Sequence, residues 1–312
     1  MRILLLGANG QLGRSFLEAS ADAVGHEWIA ASRDGVLAGG HRGIAADLAE
    51  PAALVAALDR VQPEAIVNAA AYTAVDRAEV EEALATRVNG DAPGIIGDWA
   101  AAHGALVLHF STDYVFAGTQ AEPYTPDAPT GPLNAYGRSK LAGERALRAS
   151  GAPHLILRTS WVYAAHGRNF LRTMLRLGAE REELRVVDDQ HGAPTDTTLL
   201  AAASLAALER WRQADASRRE QLAGIHHVAA SGVTTWHGFA SSIFAQAQAL
   251  GLLSRVPRVI PIRSAEFPTP AARPHWSALD NRGFQRQFGF PLPDWQQRLH
   301  AVLSDMRDIR TS

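Results

Sequence analysis

The chain starts with an apolar run, Arg2-Ile3-Leu4-Leu5-Leu6, that breaks at a glycine. A run this short, apolar at nearly every position, marks a strand buried on both faces of a parallel sheet. The same pattern recurs at His26 to Ala31, Ala65 to Asn68, Ala105 to Phe110 and His154 to Arg158. Helical periodicity falls between these runs, over Arg14 to Ala23, Pro51 to Arg60, Ala92 to His103 and Asn134 to Ala149. Pro51 takes the first helical position, where its missing N–H costs nothing. Gly118 to Leu133 carries Pro123, Pro126, Pro129 and Pro132 and reads as a loop. Strands and helices alternating at these lengths predict an α/β fold, a Rossmann-type doubly wound parallel sheet.

Past Ser160 the alternation loosens. Phe170 to Gly178, Thr197 to Arg212, Thr235 to Leu250 and Asp294 to Arg307 read as helices, with strands at Leu184 to Val187 and His226 to Ala229. Arg263 to Pro274 is basic and proline-rich, hence extended. The division expected is a dinucleotide-binding domain over residues 1–160, to which the helix near 197–212 and the strand near 226–229 return. Residues 161–196 and 230–312 then form a smaller, interleaved C-terminal substrate-binding lobe.

Composition narrows the function. With 312 residues, 47% hydrophobic and 20% charged, there is room for one large or two smaller globular domains. A net charge of −2 gives no electrostatic case for nucleic acid or an anionic membrane surface as partner. The absence of cysteine excludes disulfides, thiolate metal sites and a thiol nucleophile. The apolar start is too short to span a bilayer and leads into glycines rather than a cleavage site, so a cytoplasmic protein is expected.

The first strand runs into Gly7-Ala8-Asn9-Gly10-Gln11-Leu12-Gly13. The first spacing differs from the G-x-G-x-x-G dinucleotide fingerprint, but the physical roles carry over. One glycine makes the turn, one lets backbone approach a pyrophosphate, and one admits close helix–sheet packing, with a helix N-terminus facing the phosphates. A purely structural turn is the alternative. At the end of the second strand, where an acid would bind the adenosine 2′-hydroxyl, stand Ser32 and Arg33. A hydroxyl and a guanidinium suit a 2′-phosphate, so NADPH is expected over NADH; Arg33 as a solvated loop charge is the other reading. Asp47 is expected near the adenine, with Leu48 against the ring.

Tyr136 and Lys140 are one helical turn apart and share a face. An ammonium close to a phenol lowers its pKa towards the range where it exchanges a proton at neutral pH. Ser111-Thr112-Asp113 lies at the carboxyl end of the preceding strand, where ligands bind in such sheets. Thr112, Tyr136 and Lys140 can therefore converge on one carbonyl. The tyrosine would donate the proton, the threonine bind the oxygen, and the lysine tune the tyrosine and hold the ribose. Thr112 could instead merely cap backbone.

The chain resembles the extended short-chain dehydrogenase/reductase superfamily, and within it the dTDP-4-dehydrorhamnose reductase family. The residues that carry the resemblance include Val67 to Asp76 (Val-Asn-Ala-Ala-Ala-Tyr-Thr-Ala-Val-Asp), Ser111 to Phe116 (Ser-Thr-Asp-Tyr-Val-Phe), Pro132 to Gly137 and Leu141 to Glu144. The more specific ones are Arg158-Thr159-Ser160-Trp161-Val162-Tyr163, Asp189-Gln190-His191-Gly192-Ala193-Pro194-Thr195 and Thr269 to Pro274. The resemblance implies NAD(P)H-dependent reduction at C4 of dTDP-4-dehydro-L-rhamnose, a nucleotide-sugar substrate. It places Gly10, Gln11, Leu12, Asp47, Leu48, Ala70, Ala71 and Thr73 against the cofactor. Thr112 and Asp113 would hold the sugar, Trp161 would cover it, and Arg273 is a candidate for the diphosphate. Alternatives are core filling for Trp161, a turn cap for Asp113 and solvation for Arg273. Some relatives are dimers bridged by magnesium through acids; the matching places here are Ser15 and Thr197-Thr198, so no metal and a monomer or weak homodimer are expected. Two other functions compete. A non-catalytic regulatory subunit would not need Thr112, Tyr136 and Lys140 together. An epimerase or dehydratase holding NAD is disfavoured by Tyr114 standing where a dehydratase would have glutamate.

Overall fold

Alternation along the first strand decides the layering. In β1 (Arg2–Leu6), Ile3 and Leu5 point into one core while Leu4 and Leu6 point into another, all fully buried. A strand apolar on both sides needs a layer of helices on each. The computed structural model, which describes residues 1–20 and 25–311, provides both. β2 (Glu27–Ser32), β3 (Ile44–Ala45), β4 (Ala65–Asn68), β5 (Leu106–Thr112), β6 (His154–Thr159) and β7 (Gly224–His227) complete a seven-stranded sheet in the order β7-β6-β5-β4-β1-β2-β3. Every pairing in it is parallel. The order reverses between β1 and β4, the crevice where such sheets take ligands.

Helices α1 (Gln11–Ser20), α2 (Pro51–Val61), α3 (Ala92–His103) and α4 (Ala135–Ala149) follow their strands. α2, α3 and the end of α4 bury Leu54, Leu58, Trp99 and Leu147 against Leu4, Ile66, Val107 and Ile156. The opposite face receives Phe16 of α1. It continues without a break into α5 (Phe170–Glu180), α6 (Thr197–Gln213), α7 (Trp236–Ala249) and α8 (Trp295–Thr311). α6 packs beside α1, where the Ser15 hydroxyl donates to Thr197 Oγ1 at 2.8 Å. No group of histidines and acids that could bind a metal occurs among the described residues. Nor, among them, is any helix long and apolar enough to cross a membrane.

Most elements lie within two residues of their sequence expectation. α1 begins at Gln11, three residues before the expected Arg14, and residues 21–23 of that expectation lie outside the described residues. The final strand runs Gly224–His227 rather than His226 to Ala229. Arg258–Ile262 forms an unexpected strand parallel to Glu183–Val187, tolerated despite Pro261 because it lies at an edge of its pair. Arg263 to Pro274 is not extended throughout, since Ser264–Glu266 makes one helical turn.

Candidate active site

The turn after β1 is shaped by what glycine omits. Gly7 has φ +82°, and a Cβ there would fall 2.7 Å from the Ala70 nitrogen. A Cβ on Gly13 would fall 2.2 Å from the Gly7 carbonyl oxygen, so Gly13 packs beneath the turn rather than facing the cleft. Gly7, Gly10, Gln11 and Leu12 border a cleft of about 830 Å³ that runs along the carboxyl ends of the strands. Asp47, Leu48, Ala70, Ala71 and Thr73 border the same half. Asn68 sets the crossing point: its Oδ1 accepts from Ala70 N at 3.2 Å and its Nδ2 lies 3.1 Å from His109 Nδ1.

At the tip of β2, Arg33 is exposed and borders the cleft. Ser32 is buried, and its hydroxyl donates to Val36 O at 2.9 Å and approaches Asp34 Oδ1 at 3.2 Å. Its hydrogen is therefore committed to the turn, leaving Arg33 as the group that can meet a phosphate. Asp34, which sequence reading passed over, also borders the cleft, but its carboxylate accepts from Val36 N at 3.0 Å.

The other half of the cleft brings Thr112, Asp113, Tyr136 and Lys140 together. Asn134 caps α4 by accepting from Gly137 N at 2.8 Å, which fixes where the tyrosine begins its turn. Thr112 Oγ1 donates to Asp113 Oδ1 at 2.9 Å and accepts from Tyr114 N at 3.2 Å, so it caps the loop while facing the cleft. Asp113 is buried, with Oδ2 making no hydrogen bond. Burial pushes its carboxyl up to about 7, against contacts with Ser277, Thr112 and backbone N–H groups.

Lys140 is 2% exposed and donates to the Phe110 carbonyl at 2.6 Å, with His109 Nε2 at 3.4 Å. Burial brings it down to about 8, opposed by Glu144. Tyr136 departs from the sequence expectation. Its phenol is pushed up to about 12 by burial and then by the Asp113 charge, and contact with Thr112 opposes this only in part. Lys140 spends its charge on Phe110, so in this arrangement it does not lower the phenol.

Arg273 does not stand free: it donates to Asp76 Oδ2 at 3.0 Å and to the Ala271 carbonyl at 2.9 Å, and it meets Tyr114, which borders the cleft. A second exposed guanidinium at the rim is Arg168, beside Asn169, whose Nδ2 donates to Gln11 Oε1 at 2.6 Å. Trp161 borders the cleft, and Trp236 stands with it. Nothing in local sequence ties Trp236 to Trp161, since 75 residues separate them.

A parallel sheet whose glycine turn and Thr-Tyr-Lys group open into one crevice defines an extended short-chain dehydrogenase/reductase. Comparison with known proteins narrows the class. The family model described as RmlD substrate binding domain matches residues 1–308. A dTDP-4-dehydrorhamnose reductase of Burkholderia thailandensis is 43% identical over 311 residues, covering 98% of this chain and 99% of that protein. Among solved structures, a dTDP-4-dehydrorhamnose reductase of Clostridium acetobutylicum is 32% identical with a TM-score of 0.85, covering 100% of both chains. One from Bacillus anthracis, in complex with NADP, is 31% identical with a TM-score of 0.83, covering 97% of this chain and 99% of that one. The chain belongs to the dTDP-4-dehydrorhamnose reductase family and is an NAD(P)H-dependent oxidoreductase.

Proposed function

We propose that the protein reduces the C4 carbonyl of dTDP-4-dehydro-L-rhamnose to give dTDP-L-rhamnose, with NADPH preferred. The carrying observation is that Thr112, Tyr136 and Lys140 meet in the cleft that the Gly7 turn opens, in a chain of this family. The turn fits a dinucleotide: at Gly7 any side chain would strike Ala70, and backbone there stays open to a pyrophosphate. When bound, the reduced nicotinamide supplies the hydride. Gly10, Gln11 and Leu12 hold the phosphates, Asp47 and Leu48 the adenine end, and Ala70, Ala71 and Thr73 the middle. Arg33 meets the 2′-phosphate, and Arg168 is the cation the rim offers to a diphosphate.

Tyr136 enters the reaction protonated, since its phenol sits at about 12. It gives that proton to the carbonyl oxygen as negative charge builds there. Thr112 hydrogen-bonds the same oxygen. Lys140 holds the ribose hydroxyls. Asp113 and Trp161 hold the sugar.

The test is nicotinamide absorbance against time with purified protein and dTDP-4-dehydro-L-rhamnose. Tyr136→Phe should lower kcat by about 10²–10⁴, and Arg33→Ala should narrow the preference for NADPH over NADH. Unchanged turnover in Tyr136→Phe would remove the proton-donor role. An unaltered cofactor ratio in Arg33→Ala would remove the phosphate contact.

A further inference from the structure

Behind Lys140 a row of hydrogen-bonding groups leads back towards the glycine turn. Asn68 of β4 and His109 of β5 are register partners in the sheet, and both are 1% exposed. The Ala70 N–H donates to Asn68 Oδ1 at 3.2 Å. That contact orients the amide, so its Nδ2, which can only donate, faces His109 Nδ1 at 3.1 Å. His109 Nδ1 therefore accepts and carries no hydrogen. Burial, and then the charge of Lys140, hold the imidazole well below its usual range. The ring is neutral, and its one hydrogen sits on Nε2, which lies 3.4 Å from Lys140 Nζ.

When Lys140 is charged, this row has a donor at each end, the Ala70 N–H and the ammonium. Asn68 and His109 each accept on one side and donate on the other, so they pass the direction along without reversing it. An ammonium therefore leaves two donors facing each other at some point, whichever way the row is turned. An amine does not: its lone pair accepts from Nε2–H while it still donates to the Phe110 carbonyl at 2.6 Å. The other charged groups around α4 do not supply this preference. Glu144, one turn further along, favours the ammonium and is itself bonded to Arg158 of β6. Tyr136, one turn earlier, and Asp113, from the loop after β5, border the cleft with Lys140. On the neighbouring segments Glu82 pairs with Arg138 and Asp76 with Arg273, while Arg87, Asp91 and Asp98 are exposed.

We propose that His109 is a positioning residue for the reduction: with its tautomer fixed by Asn68, it presents an N–H to Lys140 and sets the pH at which that lysine exchanges its proton. This rests on the function proposed above, in which Lys140 holds the ribose. As an ammonium it offers the ribose hydroxyls a charge-assisted donor, and as the amine it does not.

Lys140 is the only lysine in the chain, so lysine labelled with 13C at Cε gives a single side-chain signal in NMR of the untagged, ligand-free protein. Its shift against pH follows the proton, with a midpoint near 8 in wild type. In His109→Gln the amide oxygen can accept from Asn68 Nδ2 and from the ammonium together. The midpoint should rise by about one pH unit, a tenfold change in the proton equilibrium, as relief of one donor–donor contact implies. Asn68→Leu keeps the shape but frees His109 to carry its hydrogen on Nδ1 and accept at Nε2. The midpoint should rise there too, although no contact of Lys140 has been removed and leucine cannot solvate a charge. The alkaline limb of kcat/KM should move with the midpoint, so that near pH 9 His109→Gln keeps about fivefold more of its low-pH plateau than wild type does. A midpoint unmoved or lowered in either variant would overturn the proposal, since a histidine that merely fills the core gives that result. A midpoint that moved while the limb stayed would overturn it as well. If wild type failed to turn over the sugar nucleotide, the reductase reading would fall, and the Lys140 signal would still judge His109.

Discussion

Glu144 and Arg158 form an ion pair at the back of the site, and its removal gives a quantitative test of the structure. Both residues are buried, at 1% and 2% exposure. Arg158 makes two parallel bonds, Nε to Oε1 at 2.8 Å and Nη2 to Oε2 at 2.7 Å, and a third from Nη1 to the Pro126 carbonyl at 3.0 Å. Its guanidinium also lies 5.0 Å from the centre of the Phe116 ring. Ser111 donates to the same carboxylate at 2.5 Å, so the pair fastens α4, which bears Tyr136 and Lys140, to β5 and β6. Glu144→Gln removes the charge but keeps the shape, leaving Arg158 buried without its counter-ion. Breaking a buried pair in this way costs about 3–5 kcal/mol. For 312 residues the entropy of unfolding implies roughly 1.5 °C per kcal/mol, so Tm should fall by about 5–8 °C. Replacing both partners, Glu144→Met with Arg158→Met, leaves no stranded charge and should recover most of the loss. Urea unfolding followed by circular dichroism measures both. A loss below about 1 kcal/mol in Glu144→Gln, or a double variant no better than the single, would refute the account.

Two further predictions concern protons. The Asp113 carboxyl, raised from 3.8 to about 7, binds its proton more tightly in the folded state, so it withdraws stability progressively as pH rises from about 4 to 7. Asp113→Asn should therefore stabilise the ligand-free protein above pH 7, by up to a few kcal/mol, while weakening sugar-nucleotide binding; equal stability of the two proteins at pH 5 and pH 8 would contradict this. The Lys140 ammonium, held at about 8, is lost as pH rises through that value, so kcat/KM should fall on an alkaline limb near pH 8. Lys140→Met should abolish that limb along with at least about a hundredfold in rate, and a limb that survived the substitution would belong to another group.

How far the sequence reveals this protein depends on the range of the interaction. β1 and β4 were readable because every position in them must be apolar, and Tyr136 with Lys140 because four residues make a helical turn whatever surrounds it. The glycine turn was readable because few residue types tolerate its close approaches. The tuning of Tyr136 was not, since it depends on which acceptor Lys140 reaches and on how near Asp113 lies, and neither is encoded locally. The pairing of Arg273 with Asp76 was not readable either, since nearly two hundred residues separate them. Arg168 lies in a loop with no sequence signal of its own, and that loop is tied to the first helix by the bond from Asn169 to Gln11. The strand at Arg258–Ile262 was hidden by Pro261, which only an edge position can accommodate.

The apolar core on the α1 side passes unbroken from Ile3 and Leu5 through Phe16 and Phe110 to Phe239, Leu299 and Met306. The sheet thus has one flank clothed by the C-terminal third of the chain. A fragment ending near residue 160 would expose Leu5, Leu108 and Leu157 to water along a whole face of its sheet, and should aggregate. Such a molecule is not modular. A foreign C-terminal lobe grafted here would have to present the same apolar surface to the α1 flank of the sheet.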